Sequence, residues 1–184
     1  MIYKNGYEYI GNWKNDLKDG YGIIKMNIGK YEGEWKNNLK NGRGIMIIYD
    51  KYEFNGLWIN DIFCKGKIIY VNKEEYEGNC INEIKNGNGI MRYNNRNKYN
   101  GNWENNIKKG FGIMKYNNGD IYDGDWENDK KEGKGKMIYN NGDIYDGNWK
   151  NELKEGKGIM KYNNGDEYNG EWKKDKKEGK GIMK

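Results

Sequence analysis

Histidine and proline are both absent from these 184 residues, and cysteine occurs only twice. Without histidine there is no imidazole base, no histidine-dependent catalytic triad and no histidine–zinc site. Cys64 and Cys80 are too few for a disulfide framework or a structural zinc site, and they fit a reducing compartment. Aliphatic residues are scarce as well. Mean hydropathy is −1.25, and the 35% of residues that count as hydrophobic already include 17 tyrosines and 7 tryptophans. Such a polar chain borders on the disordered class. No run approaches the roughly 18–20 apolar residues of a membrane-spanning helix. The opening MIYKNGYEYIGNW has no apolar core of a signal peptide, and no myristoylation or prenylation pattern is present. These absences predict a cytoplasmic protein. No Walker-type phosphate loop occurs, and the Gly-x-Gly pairs never extend into Gly-x-Gly-x-x-Gly before a helix. Neither a cofactor nor a metal is expected.

The formal charge is +5, from 33 basic and 28 acidic residues, and the excess is uneven. Residues 120–184 hold 14 basic and 15 acidic side chains, so the surplus lies in residues 1–119, with 19 against 13. Acids interrupt every basic cluster of the C-terminal part. That pattern argues against a nucleic-acid partner, which needs a net basic surface to release counterions. The abundant Asn, Lys and Ile read as base-composition bias, and Asn pairs such as Asn117–Asn118 as drift.

What the chain does have is aromatic residues, 15% of the total, in strict register. Tyr-x-Gly-x-Trp begins at Tyr9, Tyr31, Phe54, Tyr76, Tyr99, Tyr122, Tyr145 and Tyr168, at steps of 22, 23, 22, 23, 23, 23 and 23 residues. All seven tryptophans (Trp13, Trp35, Trp58, Trp103, Trp126, Trp149 and Trp172) occupy its last position, and Cys80 takes that place in the fourth copy. After each copy comes a Gly-x-Gly-x-Met pattern, clean in Gly133–Gly135–Met137 and with six of the eight methionines in its register; a Tyr often follows two residues on, as in Tyr139, and Asn-Gly pairs such as Asn5–Gly6 or Asn141–Gly142 recur between copies.

Residues at i, i+2 and i+4 share one face of a strand. Tyr, Gly and Trp therefore line one face of a first strand, and Gly, Gly and Met the same face of a second. Six polar residues lie between them, such as 36–41, and read as the turn. Each unit is a hairpin, and Asn-Gly leads to the next. Glycine normally weakens a strand; here bare backbone leaves room for the rings, each of which buries roughly 150–250 Å². The opposite face carries Glu32, Glu34, Asp123, Asp125, Asp146 and Glu171 on first strands, and Arg43, Lys134, Lys136, Lys157 and Lys180 on second strands. Cross-strand ion pairing is the expectation there. One hairpin is marginal in water, so the copies must cover one another.

The pattern predicts an all-β protein: an elongated, twisted, single-layer antiparallel sheet, gutter-like, of eight stacked β-hairpin repeats. Residues 1–184 form a single array with no internal boundary and repeat cores at about 9–26, 31–48, 54–70, 76–93, 99–116, 122–139, 145–162 and 168–184. Two copies depart from the pattern. The third has Phe54 for Tyr, Cys64 where the first Gly belongs and one residue fewer, which is assigned to its turn. The fourth has Cys80 for Trp.

Tyr-x-Gly-x-Trp followed by Gly-x-Gly at a step of 23 resembles the MORN repeat (membrane occupation and recognition nexus), and the resemblance covers essentially the whole chain. It implies a non-enzymatic scaffold that binds protein partners or itself, of the kind that organises cytoskeletal structures beneath membranes or in cilia. Some members carry a kinase or methyltransferase domain beside the repeats, for which this chain has no space. The expected protein-binding surface is an open aromatic groove of Tyr9, Trp13, Tyr31, Trp35, Trp58, Tyr99, Trp103, Tyr122, Trp126, Tyr145, Trp149, Tyr168 and Trp172. The family name also suggests acidic phospholipids, for which the Lys134, Lys157 and Lys180 ladder is the candidate headgroup site. A third reading makes the array an accessory to an enzyme on another subunit.

Overall fold

The computed structural model describes residues 6–184. Asn5, of the first expected Asn-Gly turn, lies outside the described residues. The chain packs as two compact units, Met1–Asn94 and Asn95–Lys184. The first holds β1 (Glu8–Lys14), β2 (Leu17–Met26), β3 (Gly29–Lys36), β4 (Leu39–Ile48), β5 (Tyr52–Ile59), β6 (Ile62–Tyr70), β7 (Glu75–Ile81) and β8 (Ile84–Arg92). The second holds β9 (Lys98–Glu104), β10 (Ile107–Lys115), β11 (Ile121–Glu127), β12 (Lys130–Ile138), β13 (Ile144–Lys150), β14 (Leu153–Lys161), β15 (Glu167–Lys173) and β16 (Lys176–Met183). The fold is all-β: sixteen antiparallel strands in chain order form eight hairpins of an open sheet, with no helix among the described residues.

Each hairpin closes on only two residues. Asn37 and Asn38 have φ of 48° and 70°, and Asn128 and Asp129 have 51° and 64°. Two successive left-handed residues make the type I′ turn, whose twist matches that of the flanking strands. The expected six-residue turn at 36–41 is therefore corrected to Asn37–Asn38, because Lys36 still pairs with Leu39 and Trp35 with Lys40. Asn and Asp tolerate this backbone better than other non-glycine residues.

The connections between repeats 5 to 8 are longer and equally regular. Tyr116 N–H donates to the Asp120 carbonyl (2.9 Å), Gly119 N–H donates to the Tyr116 carbonyl (3.0 Å), and Gly119 takes φ of 95°. The Asn118 side chain accepts from Asp120 N–H (3.1 Å). The Asp120 carboxylate then accepts from Asn140 N–H of the next connection (2.9 Å), and Asp143 does the same for Asn163 (2.9 Å). The Asn-rich doublets, expected to be drift, thus shape each turn and tie it to its neighbour, as Asx side chains do when they bond backbone nearby.

The core lies on one face. Tyr122 faces Met137, Gly124 faces Gly135, and Trp126 faces Lys131 across β11 and β12. The glycines are obligatory there. A Cβ on Gly135 would overlap the Tyr122 hydroxyl, and one on Gly124 would overlap the Gly135 backbone. Between these facing pairs, β11 has one residue (Asp125) and β12 has three (132–134), so β12 bulges. Gly133 supports the bulge with φ of 69°.

Candidate functional site

The bulge brings polar atoms to the edge of the core, and the repeat satisfies them with two side chains. The Tyr122 hydroxyl donates to the Asp125 carbonyl (2.9 Å), and the Asp125 carboxylate accepts from Lys134 N–H (3.1 Å). The tyrosine bond recurs from Tyr9 to Asn12, Tyr31 to Glu34, Tyr76 to Asn79, Tyr99 to Asn102, Tyr145 to Asn148 and Tyr168 to Glu171. Glu34 repeats the carboxylate bond, accepting from Arg43 N–H (3.1 Å).

Consecutive repeats meet through their rings. The Trp149 indole N–H donates to the Gly135 carbonyl of the repeat before (2.9 Å). Its ring stands edge-on to its own Tyr145 at 5.2 Å and to Tyr122 of that earlier repeat at 5.3 Å. The edge-to-face arrangement suits the ring quadrupoles. Lys131 closes the contact from above, with Nζ 4.6 Å from the Trp149 ring centre. The second residues of the hairpin turns complete the set: Lys131 N–H donates to the Glu152 carboxylate (2.6 Å), Glu152 N–H donates to the Lys131 carbonyl (3.0 Å), and the two side chains pair at 3.4 Å. Lys40 with Trp58 and Asp61, Lys108 with Trp126 and Asp129, and Lys154 with Trp172 and Asp175 repeat the arrangement. Burial against the rings lowers the pKa of Lys40, Lys108 and Lys154, and the turn acid partly offsets it. This inner lysine ladder was not foreseen. Its signal in the sequence was a lysine five residues after six of the seven Trp, as in Trp126–Lys131 and Trp149–Lys154.

The tyrosines and tryptophans expected to line an open groove are therefore the core itself. Tyr9, Tyr31, Tyr99, Tyr122, Tyr145, Tyr168, Trp35, Trp58, Trp103, Trp126, Trp149 and Trp172 are all buried, because neighbouring repeats and lysine stems cover them. Trp13 alone stays accessible, at 42% exposed. The other face is the accessible one. Lys134, Lys157 and Lys180 lie there, all exposed, in the same column as Tyr21, Arg43, Lys65, Asn88 and Phe111. The expected ion pairing is corrected in part. Asp123 faces Lys136, and Lys157 faces Glu171, yet among the described residues the ion pairs of this face are others, such as Lys25–Glu8 and Lys67–Glu75. Glu34 and Asp125 turn instead to the bulge N–H groups.

Repeats 3 and 4 replace this machinery as a set. Leu57 faces Lys65 and the next pair is Trp58 with Phe63, so β6 bulges by one residue, Cys64. The missing residue belongs to the bulge; the turn keeps its two residues, Asn60 and Asp61, at φ of 49° and 68°. Phe54 has no hydroxyl and Leu57 no side-chain acceptor, and the smaller bulge leaves both without the task that Tyr122 and Asp125 perform. Phe63 takes the place of the inner lysine and packs on Phe54 and Trp58, each at 5.2 Å. Cys80 fills the Trp position and is buried. Both cysteines are free thiols. Burial pushes the Cys80 thiol up to about 12, against the opposing pull of Lys85.

A sheet whose core consists of one repeat packing on the next is a repeat array. The MORN repeat family model matches residues 9–29, 31–51, 99–121, 122–144, 145–167 and 168–184, and the chain belongs to that family. The stretch left unmatched, 52–98, contains Phe54, Leu57, Phe63 and Cys80. No curated whole protein matches the chain. Among solved structures, the SAS-4 (dCPAP) TCP domain of Drosophila melanogaster, in complex with a proline rich motif of Ana2 (dSTIL), aligns at 17% identity over 97% of this chain and 88% of that one, with a TM-score of 0.37.

Proposed function

We propose that this MORN array is a non-enzymatic scaffold that binds protein partners or further copies of itself, in the cytoplasm, at cytoskeletal or membrane-associated structures. One observation carries the reading. Outside repeats 3 and 4 the core columns repeat the same residue type from copy to copy, while the exposed column of the opposite face runs Tyr21, Arg43, Lys65, Asn88, Phe111, Lys134, Lys157, Lys180. The buried positions supply a uniform support, and the varied outer positions supply the individuality that recognition of a particular surface needs. Exposed aromatic side chains among charges, such as Tyr21 and Phe111, are the usual anchors of such surfaces.

The test is affinity capture from a cytosolic extract with the wild-type chain and with Tyr21→Ser/Phe111→Ser, identified by mass spectrometry. Both substitutions lie on exposed residues, so the circular dichroism spectrum should not change. The expected result is a protein retained by the wild type and reduced by the double variant. An identical set of proteins on both baits, or none above the blank, overturns the outer face as the binding surface.

A second reading draws on Lys134, Lys157 and Lys180, exposed and outside the ion pairs found among the described residues: contact with acidic phospholipid headgroups. Asp125, Asp146 and Glu171 on the same face weaken it, since interleaved acids cancel most of the attraction. Sedimentation with anionic vesicles at low salt decides; a chain that stays in the supernatant removes this reading.

A further inference from the structure

Both cysteines of the chain fall on one pair of facing positions. Across β6 and β7, Gly66 faces Gly78 and Lys65 faces Asn79. One further step along that register puts Cys64 opposite Cys80, and both strands extend past it. At the corresponding place of the regular junctions a glycine faces a tryptophan: Gly42 with Trp58, Gly133 with Trp149 and Gly156 with Trp172. There the indole N–H also reaches back to the preceding repeat, as Trp149 does to the Gly135 carbonyl (2.9 Å). Repeats 3 and 4 thus exchange a glycine–tryptophan pair for a cysteine–cysteine pair, and with Cys80 the indole bond is gone. Facing residues of antiparallel strands have Cα atoms about 4.5–5.5 Å apart, within the about 4.4–6.8 Å that a disulfide spans. Burial pushes the Cys80 thiol up to about 12 against the pull of Lys85, and Cys64 adds to the rise, as a neighbouring sulfur does.

We infer that Cys64 and Cys80 are a reversible modification site, closing to a disulfide that staples repeat 3 to repeat 4 when a low-molecular-weight disulfide such as glutathione disulfide accumulates. Cys64 is partly exposed and Cys80 is buried, so the reaction enters through Cys64. Its thiolate attacks one sulfur of the small disulfide and forms a mixed disulfide, and the glutathione thiolate that it expels takes up a proton. Cys80 then gives its proton to solvent and attacks the Cys64 sulfur, and the second glutathione leaves and is protonated. Two protein thiols are oxidised, and one glutathione disulfide is reduced to two glutathiones. Lys85 faces Cys80 across β7 and β8 and favours its thiolate in the second step. The Cys64 thiol now donates to the Ile62 carbonyl (3.4 Å), a contact that closure replaces. A pair that stays reduced until the pool of small disulfides rises is what a reducing compartment allows.

The experiment equilibrates the purified chain in buffers of graded glutathione to glutathione disulfide ratio, traps free thiols by alkylation and maps the products by mass spectrometry. The wild type is expected to lose the mass of two hydrogens, with Cys64 and Cys80 joined within one chain. Cys80→Ala should stop at glutathione on Cys64, and Cys64→Ala should leave Cys80 unmodified. The same titration of the wild type in concentrated urea needs no variant to fold, and it separates a built pair from two cysteines that merely lie close in sequence. The native chain should close at a ratio of glutathione disulfide at least about tenfold lower than the unfolded one. A wild type that keeps both thiols or stops at the mixed disulfide, a bond between two chains, or equal titrations with and without urea overturns the inference.

Discussion

Repeats 5 to 8 and the pair formed by repeats 3 and 4 solve the same problem with different parts. In the regular stretch a large ring, a covering lysine, a three-residue bulge and two polar side chains form one device. In the irregular pair Cys80 replaces the ring, Phe63 the lysine, Cys64 the larger bulge, and Phe54 and Leu57 the polar side chains. The substitutions complement one another physically. Phe63 packs on Phe54 and Trp58 where the regular repeats carry a lysine, and a smaller bulge has fewer polar atoms to satisfy. Variation in the array thus comes in coupled groups, because each part exists to serve another.

Several experiments would break or sharpen this comparison. The largest effect is expected where a ring holds two repeats together. Trp149→Ala removes the bond to Gly135, both tyrosine edges and the seat of Lys131, and should cost about 3–5 kcal/mol. Cys80→Ala in the irregular pair should cost about 1 kcal/mol. Urea denaturation of both variants measures the gap, and equal losses would mean that the two junctions do not differ. Next comes Gly135→Ala, whose methyl group meets Tyr122 and should cost about 2–3 kcal/mol; Gly165→Ala, with nothing within 4 Å of its Cβ, isolates the cost of its φ of 96° alone.

The coupling itself is open to a double-mutant cycle of Phe63→Lys, Cys80→Trp and both together. Each single change should destabilise, the first by placing an ammonium where no ring receives it and the second by overfilling the site. The pair restores the regular contact, so an interaction of about 1–2 kcal/mol is expected. Additive losses would show that the two departures arose independently. A smaller contrast concerns the bulge. Tyr122→Phe loses the hydroxyl bond to Asp125 and should cost about 1 kcal/mol, whereas Phe54→Tyr should bring no gain, as Leu57, at the position of Asp125, is drawn into register with Lys65.

The last contrast is alkaline. The Cys80 thiol titrates near 9 in the unfolded chain and near 12 in the folded one. A raised acid pKa contributes stability that is complete below about pH 9 and declines as pH rises toward 12. Between pH 9 and 10 the wild type should therefore lose up to about 1.4 kcal/mol relative to Cys80→Ala. A stability difference that stays constant over that interval would place the thiol in a wetter setting than its burial indicates.

Much of this was legible in the sequence. The Tyr-x-Gly-x-Trp and Gly-x-Gly-x-Met periods gave the strands, the hairpins, the shared face and the reason for glycine, since a strand's side-chain alternation is local. The extent of the turn was not legible. Lys36 and Leu39–Asn41 are polar or weakly apolar whether they sit in a loop or continue a strand, and only the register with their partners decides. Asn118 and Asp120 looked like compositional noise because their acceptors and donors lie partly in the next repeat. For the same reason the third repeat's missing residue was assigned to the wrong place: the count shows that one is absent, and pairing shows that the bulge lost it.

The sequence by itself determined the repeat, its two-strand unit and which side chains go inward, because these follow from periods of two along a strand and 22 or 23 along the chain. Only the tertiary structure decided that the rings are a closed core and not an open groove. Their accessibility depends on what the neighbouring repeat places over them: a lysine stem held by a turn acid, an indole reaching back to a glycine carbonyl. Those contacts join residues 14 to 21 positions apart. They exist only once adjacent hairpins pair in one register.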